Sequence, residues 1–350
     1  MDNAANRLNF VDSLRGFAAL YVILFHMVLV PSHRLQIPEY IKGFIMNGGS
    51  GVTLFFVISA FTLCYTLDGR NDKKGYIFQF YIRRFFRIVP LYWSWLFLVL
   101  ILEGWPGYKP FFIYSTFTFN FFPYHQEGIV WASWTLGIEV IFYFFFPFIF
   151  KYVNDVKKSF VFLVISIVFM IIHYNLTKNI DGYKAYIGIL NQLPVFSVGI
   201  LLYFVFKKIE PRTKNKKLGY CLIVSSLCLF LFSKELFGWL GYASSFLVKA
   251  FLYSIFFLGL FICPFQLFVN KITFFFGKIS YSLYLNHPRI IFAMTTIYFQ
   301  IDKIVNQQET SLLISFFTTL IVLVPISYLT YTFIEKPCIN YAKHLSSSKQ

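Results

Sequence analysis

The sequence predicts an all-α polytopic membrane protein with about ten transmembrane helices, and three observations carry that prediction. Of its 350 residues 58% are apolar, 22% aromatic and only 13% charged, whereas a water-soluble domain carries roughly a quarter charged residues. The apolar residues fall in runs of the length that a hydrocarbon core about 30 Å thick demands of a helix. The basic residues, which give a net charge of +16, gather in short clusters between those runs, as they do in cytoplasmic loops. That clustering points to a lipid bilayer as the partner and argues against nucleic acid. Cys64, Cys221, Cys228, Cys263 and Cys338 are scattered, mostly inside apolar runs and without metal-ligand spacing. They read as small buried hydrophobes, and no metal site is expected.

Apolar runs lie near residues 11–31, 51–67, 88–102, 110–123, 135–150, 159–174, 185–206, 218–237, 244–269, 274–299 and 311–334. The first is not a cleavable signal, because Asp12 and Arg15 interrupt it and no small-residue cleavage site follows. After the second run comes "LDGRNDKKGYIFQFYIRRFFR", with Arg70, Lys73, Lys74, Arg83, Arg84 and Arg87. This stretch is expected in the cytoplasm, which places the N-terminus there too. The block "KKIEPRTKNKK" at 207–217 should share that side, yet it would fall outside if every run crossed.

The run 110–123, "PFFIYSTFTFNFFP", resolves the conflict. It is bounded by Pro110 and Pro123 and broken by Ser115, Thr116, Thr118 and Asn120. A segment so short and polar is expected to be re-entrant or interfacial. Ten crossings then remain, with both termini cytoplasmic. Lys151, Lys157 and Lys158 fall inside, as do Lys336, Lys343 and Lys349 of the tail. A single integral membrane domain is expected over 1–340, then a short cytoplasmic tail over 341–350 that ends in a frayed "SSSKQ". No internal repeat is evident.

Ionisable groups inside spans are expensive and tend to face a protein interior or a water-filled cavity. In "DSLRGFAALYVILFH", Arg15 and His26 are eleven residues apart, very nearly three helical turns or roughly 16 Å along one face. Asp12 lies at the edge of the same run. The bland alternative has Arg15 snorkelling to the headgroups and His26 anchored at the outer interface. In "SWTLGIEVIFYFFFP", Glu139 enters an uncharged run five residues after Trp134, at roughly the depth of His26, about 7 Å below the outer surface. A carboxylate beside an imidazole fixes its tautomer and raises its basicity, while the competing role is a structural hydrogen bond between helices.

In "GKISYSLYLNHPRII", Ser280, Tyr284 and His287 fall at i, i+4 and i+7 on one face. Such a polar stripe faces either a cavity or a neighbouring helix. In "YIRRFFRIVPLYW", Arg84 and Arg87 share a face. Paired guanidinium forks suit phosphate, although positive-inside anchoring explains either arginine singly. Glu335 in "TFIEKP" reaches the same cytoplasmic level and is a candidate partner for these arginines.

In order along the chain, "DSLRGFAALYVILFH", "GVTLFFVISAF", "RRFFRIVPLYW", "SWTLGIEVIFYFFFP", "ISYSLYLNH" and "FIEKP" resemble the blocks of the acyltransferase 3 family of integral membrane acyltransferases. Thr53 stands where an acidic residue is common in that family, and Ala60 replaces a usual glycine after Ser59. Residues 151–270 match only as a hydropathy pattern. The resemblance implies a multi-pass protein of the cytoplasmic (inner) cell membrane that O-acylates, most often O-acetylates, a cell-surface polysaccharide or lipid-linked glycan. Acyl-CoA (acetyl-CoA) would be the co-substrate, with no bound cofactor.

By the same resemblance the functional positions are Arg15, His26, Arg84, Arg87 and Glu139, with His287 as a further candidate. Arg84 and Arg87 would hold CoA phosphates, the pantetheine arm would pass Arg15, and the thioester would arrive at His26. His26 would act as general base, oriented by Glu139, or as the carrier of a transient acyl group. Tyr284, Ser280 and Trp134 are candidate acceptor or cavity residues, and Asp12 and Glu335 structural partners. Some members of the family carry an appended extracellular hydrolase-like domain. This chain ends soon after its last span and is expected to complete transfer itself or with a separate protein. The rival from another class, a transporter of an anionic solute, would be expected to show internal repeats or paired broken helices.

Overall fold

The computed structural model describes residues 9–33, 35–68, 75–209, 215–238 and 242–347. Arg70, Lys73, Lys74, the centre of the second basic block (210–214) and Lys349 lie outside the described residues. Among the described residues all regular structure is helical, as a bilayer requires of a chain whose backbone must satisfy its own hydrogen bonds. The order is α1 (Asn9–Leu29), α2 (Glu39–Met46), α3 (Gly51–Asp68), α4 (Tyr76–Glu103), α5 (Tyr108–Ser115), α6 (Trp134–Tyr152), α7 (Val156–Thr177) and α8 (Ile189–Ile209). It continues with α9 (Lys216–Leu231), α10 (Ser233–Phe237), α11 (Tyr242–Ile262), α12 (Lys271–Lys278), α13 (Ser280–Ala293), α14 (Thr295–Ile304), α15 (Gln308–Thr330) and α16 (Lys336–Ser347). Among the described residues eight segments are long and apolar enough to cross a membrane. The two other expected crossings are α9, which has 16 residues, and the run broken into α12 and α13.

Two stretches depart from plain spans. The run at 110–123 forms the eight-residue α5 and then a 3-10 turn over Thr118–Phe121. Its polar residue explains why it stops. The Asn120 amide donates to the Ile187 carbonyl (2.8 Å), and its oxygen accepts from the Ile189 N–H (2.9 Å), tying the turn to the start of α8. The run at 274–299, read from the sequence as one helix, breaks at Ile279 and again at Met294. Ser280, Tyr284 and His287 nonetheless all lie on α13 and keep their common face.

The contacts of the chain divide it into two compact units. The first comprises Met1–Ile58, Lys208–Gly241 and Val248–Ser327. At its centre α1 runs along α12 and α13, and small residues set the spacing. A Cβ on Gly16 would stand 2.5 Å from the Thr273 carbonyl oxygen, and one on Gly277 would overlap the Asp12 carbonyl. Two backbones this close gain dispersion contact, the main attraction left between helices when lipid is as apolar as leucine.

The second unit comprises Ser59–Lys207, Tyr242–Leu247 and Tyr328–Gln350. Here α4 packs on α6, on α16 and on a π-helical turn, Tyr331–Glu335. An aromatic core fills it, with Phe142 stacked on Phe196 at 4.0 Å between centroids and Phe80 on Phe146 at 5.9 Å.

Candidate active site

In the first unit two histidines from helices far apart in sequence meet. His26 Nδ1 lies 2.8 Å from His287 Nε2, and the ring planes are 3° apart, so the hydrogen bond lies in the plane of both imidazoles. His287 is fully buried, while His26 is half-buried. The Nδ1 of His287 lies 2.6 Å from the Tyr284 carbonyl oxygen. That carbonyl is available for a local reason: the residue four positions on is Pro288, which has no N–H to complete the helical bond.

This chain of contacts fixes the protons. A carbonyl oxygen only accepts, so His287 Nδ1 carries a hydrogen. With both rings neutral, His287 Nε2 is then an acceptor and takes the hydrogen of His26 Nδ1. His26 Nε2 is left with a lone pair, which can accept a proton from a substrate hydroxyl. The motif "YLNHP" held this information in the sequence, because a proline four residues after Tyr284 frees the carbonyl that orients His287.

At the other end of α1, Arg15 Nη1 donates to Asp12 Oδ1 at 3.1 Å. Asp12 is buried beneath the close α1–α12 crossing. Because α1 is one unbroken helix, Arg15 and His26 do project from a common face. Tyr284, itself buried, packs edge-on against Phe55 at 5.9 Å between centroids, and Ser280 opens α13 as a buried residue.

The second unit holds a different polar cluster. Glu139 Oε1 accepts from Ser59 Oγ at 2.7 Å and from the Tyr143 hydroxyl at 2.5 Å, and those two hydroxyls stand 2.7 Å apart. Tyr143 is one turn after Glu139 on α6, a spacing visible in the sequence but not singled out there. The Arg84 guanidinium lies over the Tyr143 ring at 5.3 Å and near the Phe80 ring at 5.7 Å, within cation–π range. Both hydroxyls converge on one carboxylate oxygen, and among the described residues none donates to Oε2. Arg84 therefore belongs to the neighbourhood of Glu139 as well as to the basic face it shares with Arg87.

Glu335 is buried at the end of the π-turn that packs on α4, the helix carrying both arginines. Arg83 points elsewhere, donating to Ser346 Oγ of α16 at 2.9 and 3.2 Å. Trp134 is the half-buried first residue of α6. Among the described residues no group of three or more His, Cys, Asp and Glu side chains is placed to hold a metal ion.

Comparison with known proteins gives these clusters a context. Residues 8–332 match the family model of the acyltransferase 3 type, described as an acyltransferase domain. The O-acetyltransferase OatA of Staphylococcus aureus strain NCTC 8325 is 26% identical over 328 residues, covering 83% of this chain and 51% of the relative. The OatA of S. aureus strain COL aligns with the same identity and coverage. The chain thus spans about half the length of the relatives it matches. No solved structure matches it. With a family model covering nearly all of its helices, the chain belongs to the acyltransferase 3 family.

Proposed function

We propose that the protein is an O-acetyltransferase of the cytoplasmic membrane that moves an acetyl group from acetyl-CoA to a hydroxyl of a cell-envelope glycan or lipid-linked sugar. The observation that carries this reading is the relay from the Tyr284 carbonyl through His287 to His26. It presents one imidazole nitrogen with a lone pair among membrane helices, as a general base for acyl transfer needs. The acceptor hydroxyl gives its proton to His26 Nε2 while its oxygen attacks the thioester carbonyl carbon. The carbon–sulfur bond then breaks, and the proton passes from His26 to the departing CoA thiolate.

Arg84 and Arg87 are assigned to the CoA phosphates. A guanidinium stacked on a tyrosine ring keeps its in-plane N–H edge for phosphoryl oxygens, which makes stacking compatible with that role. Arg15, held by Asp12, guides the pantetheine arm along the face that ends at His26. Glu139 is held by Ser59 and Tyr143, with its second oxygen open to a substrate hydroxyl or proton. We assign the chain ten crossings with both ends in the cytoplasm, α9 and the α12–α13 pair completing the eight longer segments. The family membership, the named activity of the relatives and the relay support this reading together.

The test is the O-acetyl content of purified surface polysaccharide, by NMR, from cells expressing wild type, His26→Ala or no protein. Acetyl signal added by wild type and lost in the variant, at equal membrane levels, is the expected result. A variant that still acetylates removes His26 from the mechanism. Absence of any added signal with wild type removes glycan O-acetylation itself.

A further inference from the structure

A cation in the first unit has no role in the relay. Lys249 lies seven residues into α11, and among the described residues no acid, hydroxyl or ring pairs with it. A lysine within an apolar membrane helix is expensive and marks a ligand or a path for one. Leu252, Tyr253 and Phe256 follow it at i+3, i+4 and i+7, on the same face. These three line a cavity of about 90 Å³ against Tyr21 of α1, with the exposed side chains of Phe44 and Leu227 at its rim.

The cavity offers a ligand little but hydrocarbon. Its three hydroxyls are already engaged, Tyr253 with Ser50 Oγ at 2.6 Å, Tyr21 with the Phe44 carbonyl at 2.5 Å and Ser226 with the Ile223 carbonyl at 2.9 Å. A soluble anion would gain nothing from such walls, and an uncharged lipid would leave the lysine unused. A phosphate on a hydrocarbon chain satisfies both.

The position of the lysine says what the phosphate carries. Within this unit α1 and α11 run antiparallel, with Phe10 against Phe257 at 4.9 Å, while Tyr253 meets Ser50 beside Gly51, which abuts the Ala18 carbonyl. From that level Lys249 is one turn on along α11 and His26 two turns on along α1. The lysine stem leans towards its own helix N-terminus, which carries the ammonium towards the level of His26.

We propose that the cavity takes the hydrocarbon chain of a lipid-phosphate-linked sugar, that Lys249 binds its phosphate, and that this sugar is the acceptor. The assignment of the lipid as acceptor rests on the acetyltransferase reading above. In the transfer the sugar oxygen bonds to the thioester carbon, the carbon–sulfur bond breaks, and the hydroxyl proton reaches the thiolate through His26. The phosphate linkage stays intact.

The test uses the full-length protein in phosphatidylcholine nanodiscs and a long-chain isoprenyl phosphate bearing a diazirine on the chain. Photo-crosslinks are expected on α1 and α11. Unlabelled isoprenyl phosphate should compete at least about tenfold better than the matching isoprenyl alcohol or phosphatidylglycerol. Lys249→Gln should weaken capture about tenfold, and Lys249→Arg should restore most of it. Equal capture by Lys249→Gln, or crosslinks that map elsewhere, would overturn the site. Equal competition by phosphatidylglycerol would overturn the sugar carrier as its occupant.

Acetyl-CoA turnover by the wild-type preparation separates this failure from failure of the transferase reading. Turnover without lysine-dependent capture overturns the lipid site alone. Lysine-dependent capture without turnover overturns the acceptor role together with the transferase.

Discussion

The Tyr284 carbonyl decides which nitrogen of His26 acts as base, and it does so through an intermediate histidine and a missing amide hydrogen at Pro288. Each link can be altered alone. His287→Leu removes the acceptor for His26 Nδ1–H and frees the ring to adopt the other tautomer; acetyl transfer is expected to fall about a hundredfold. His287→Gln supplies an amide oxygen in roughly the same place and should stay within about tenfold of wild type, one hydrogen bond being worth roughly 1 kcal/mol. Equal rates for the two variants would remove the relay. Pro288→Ala returns an N–H that competes for the Tyr284 carbonyl, and a severalfold loss is expected in the same assay. Around Glu139, Ser59 and Tyr143 serve one oxygen, so their effects should not add. In a double-mutant cycle of Ser59→Ala and Tyr143→Phe, read as thermal stability in detergent, a coupling of about 0.5–3 kcal/mol is expected. Strict additivity would show that the two hydroxyls act independently.

Among the elements, the crossing of α1 over α12 matters most, because α1 carries Asp12, Arg15 and His26 and its height is set by glycines on both sides. Gly277→Ala drives a methyl into the Asp12 carbonyl, so the helices must part. A loss of about 1–3 kcal/mol is expected, the usual cost of overpacking, with a matching fall in activity. Gly43→Ala on α2 is the control, since a Cβ there meets nothing within 4 Å. A melting temperature for Gly277→Ala no lower than that of Gly43→Ala would show that the crossing tolerates a wider spacing. The break between α12 and α13 lies beside the same contact: Gly277 meets α1, and α13 restarts at Ser280 with its polar face intact.

For the molecule as a whole, the proposed sidedness rests on the charge pattern. Glu127 lies in the loop before α6, paired with Lys184 at 2.6 Å, and Lys208, next to last in α8, belongs to the second basic block. In a cysteine-free background Glu127→Cys should react with an impermeant maleimide on intact cells, whereas Lys208→Cys should react only after permeabilisation. The opposite pattern would invert the topology, and labelling of both from outside would remove the ten-crossing assignment. Losing the exposed Glu127–Lys184 pair should cost little, since surface ion pairs contribute about 0–1 kcal/mol.

The sequence by itself determined that the chain is helical and rich in membrane-length apolar segments, that 110–123 forms no long helix, and that Arg15 and His26 share a face. Each of these follows from composition or periodicity within one segment, where local chemistry decides: Asn120 pins its turn, and a spacing of eleven residues closes three turns of any unbroken helix. The family too was legible, because its six blocks are local. Only the tertiary structure decided which buried polar groups meet. It placed His287 beside His26, gathered Ser59, Tyr143 and Arg84 around Glu139, and set Lys249 one turn from residues that line an apolar cavity. Those pairings join residues up to 261 positions apart. Helix packing in lipid, governed by small-residue contacts rather than by a hydrophobic pattern, leaves no periodic trace of which faces will touch.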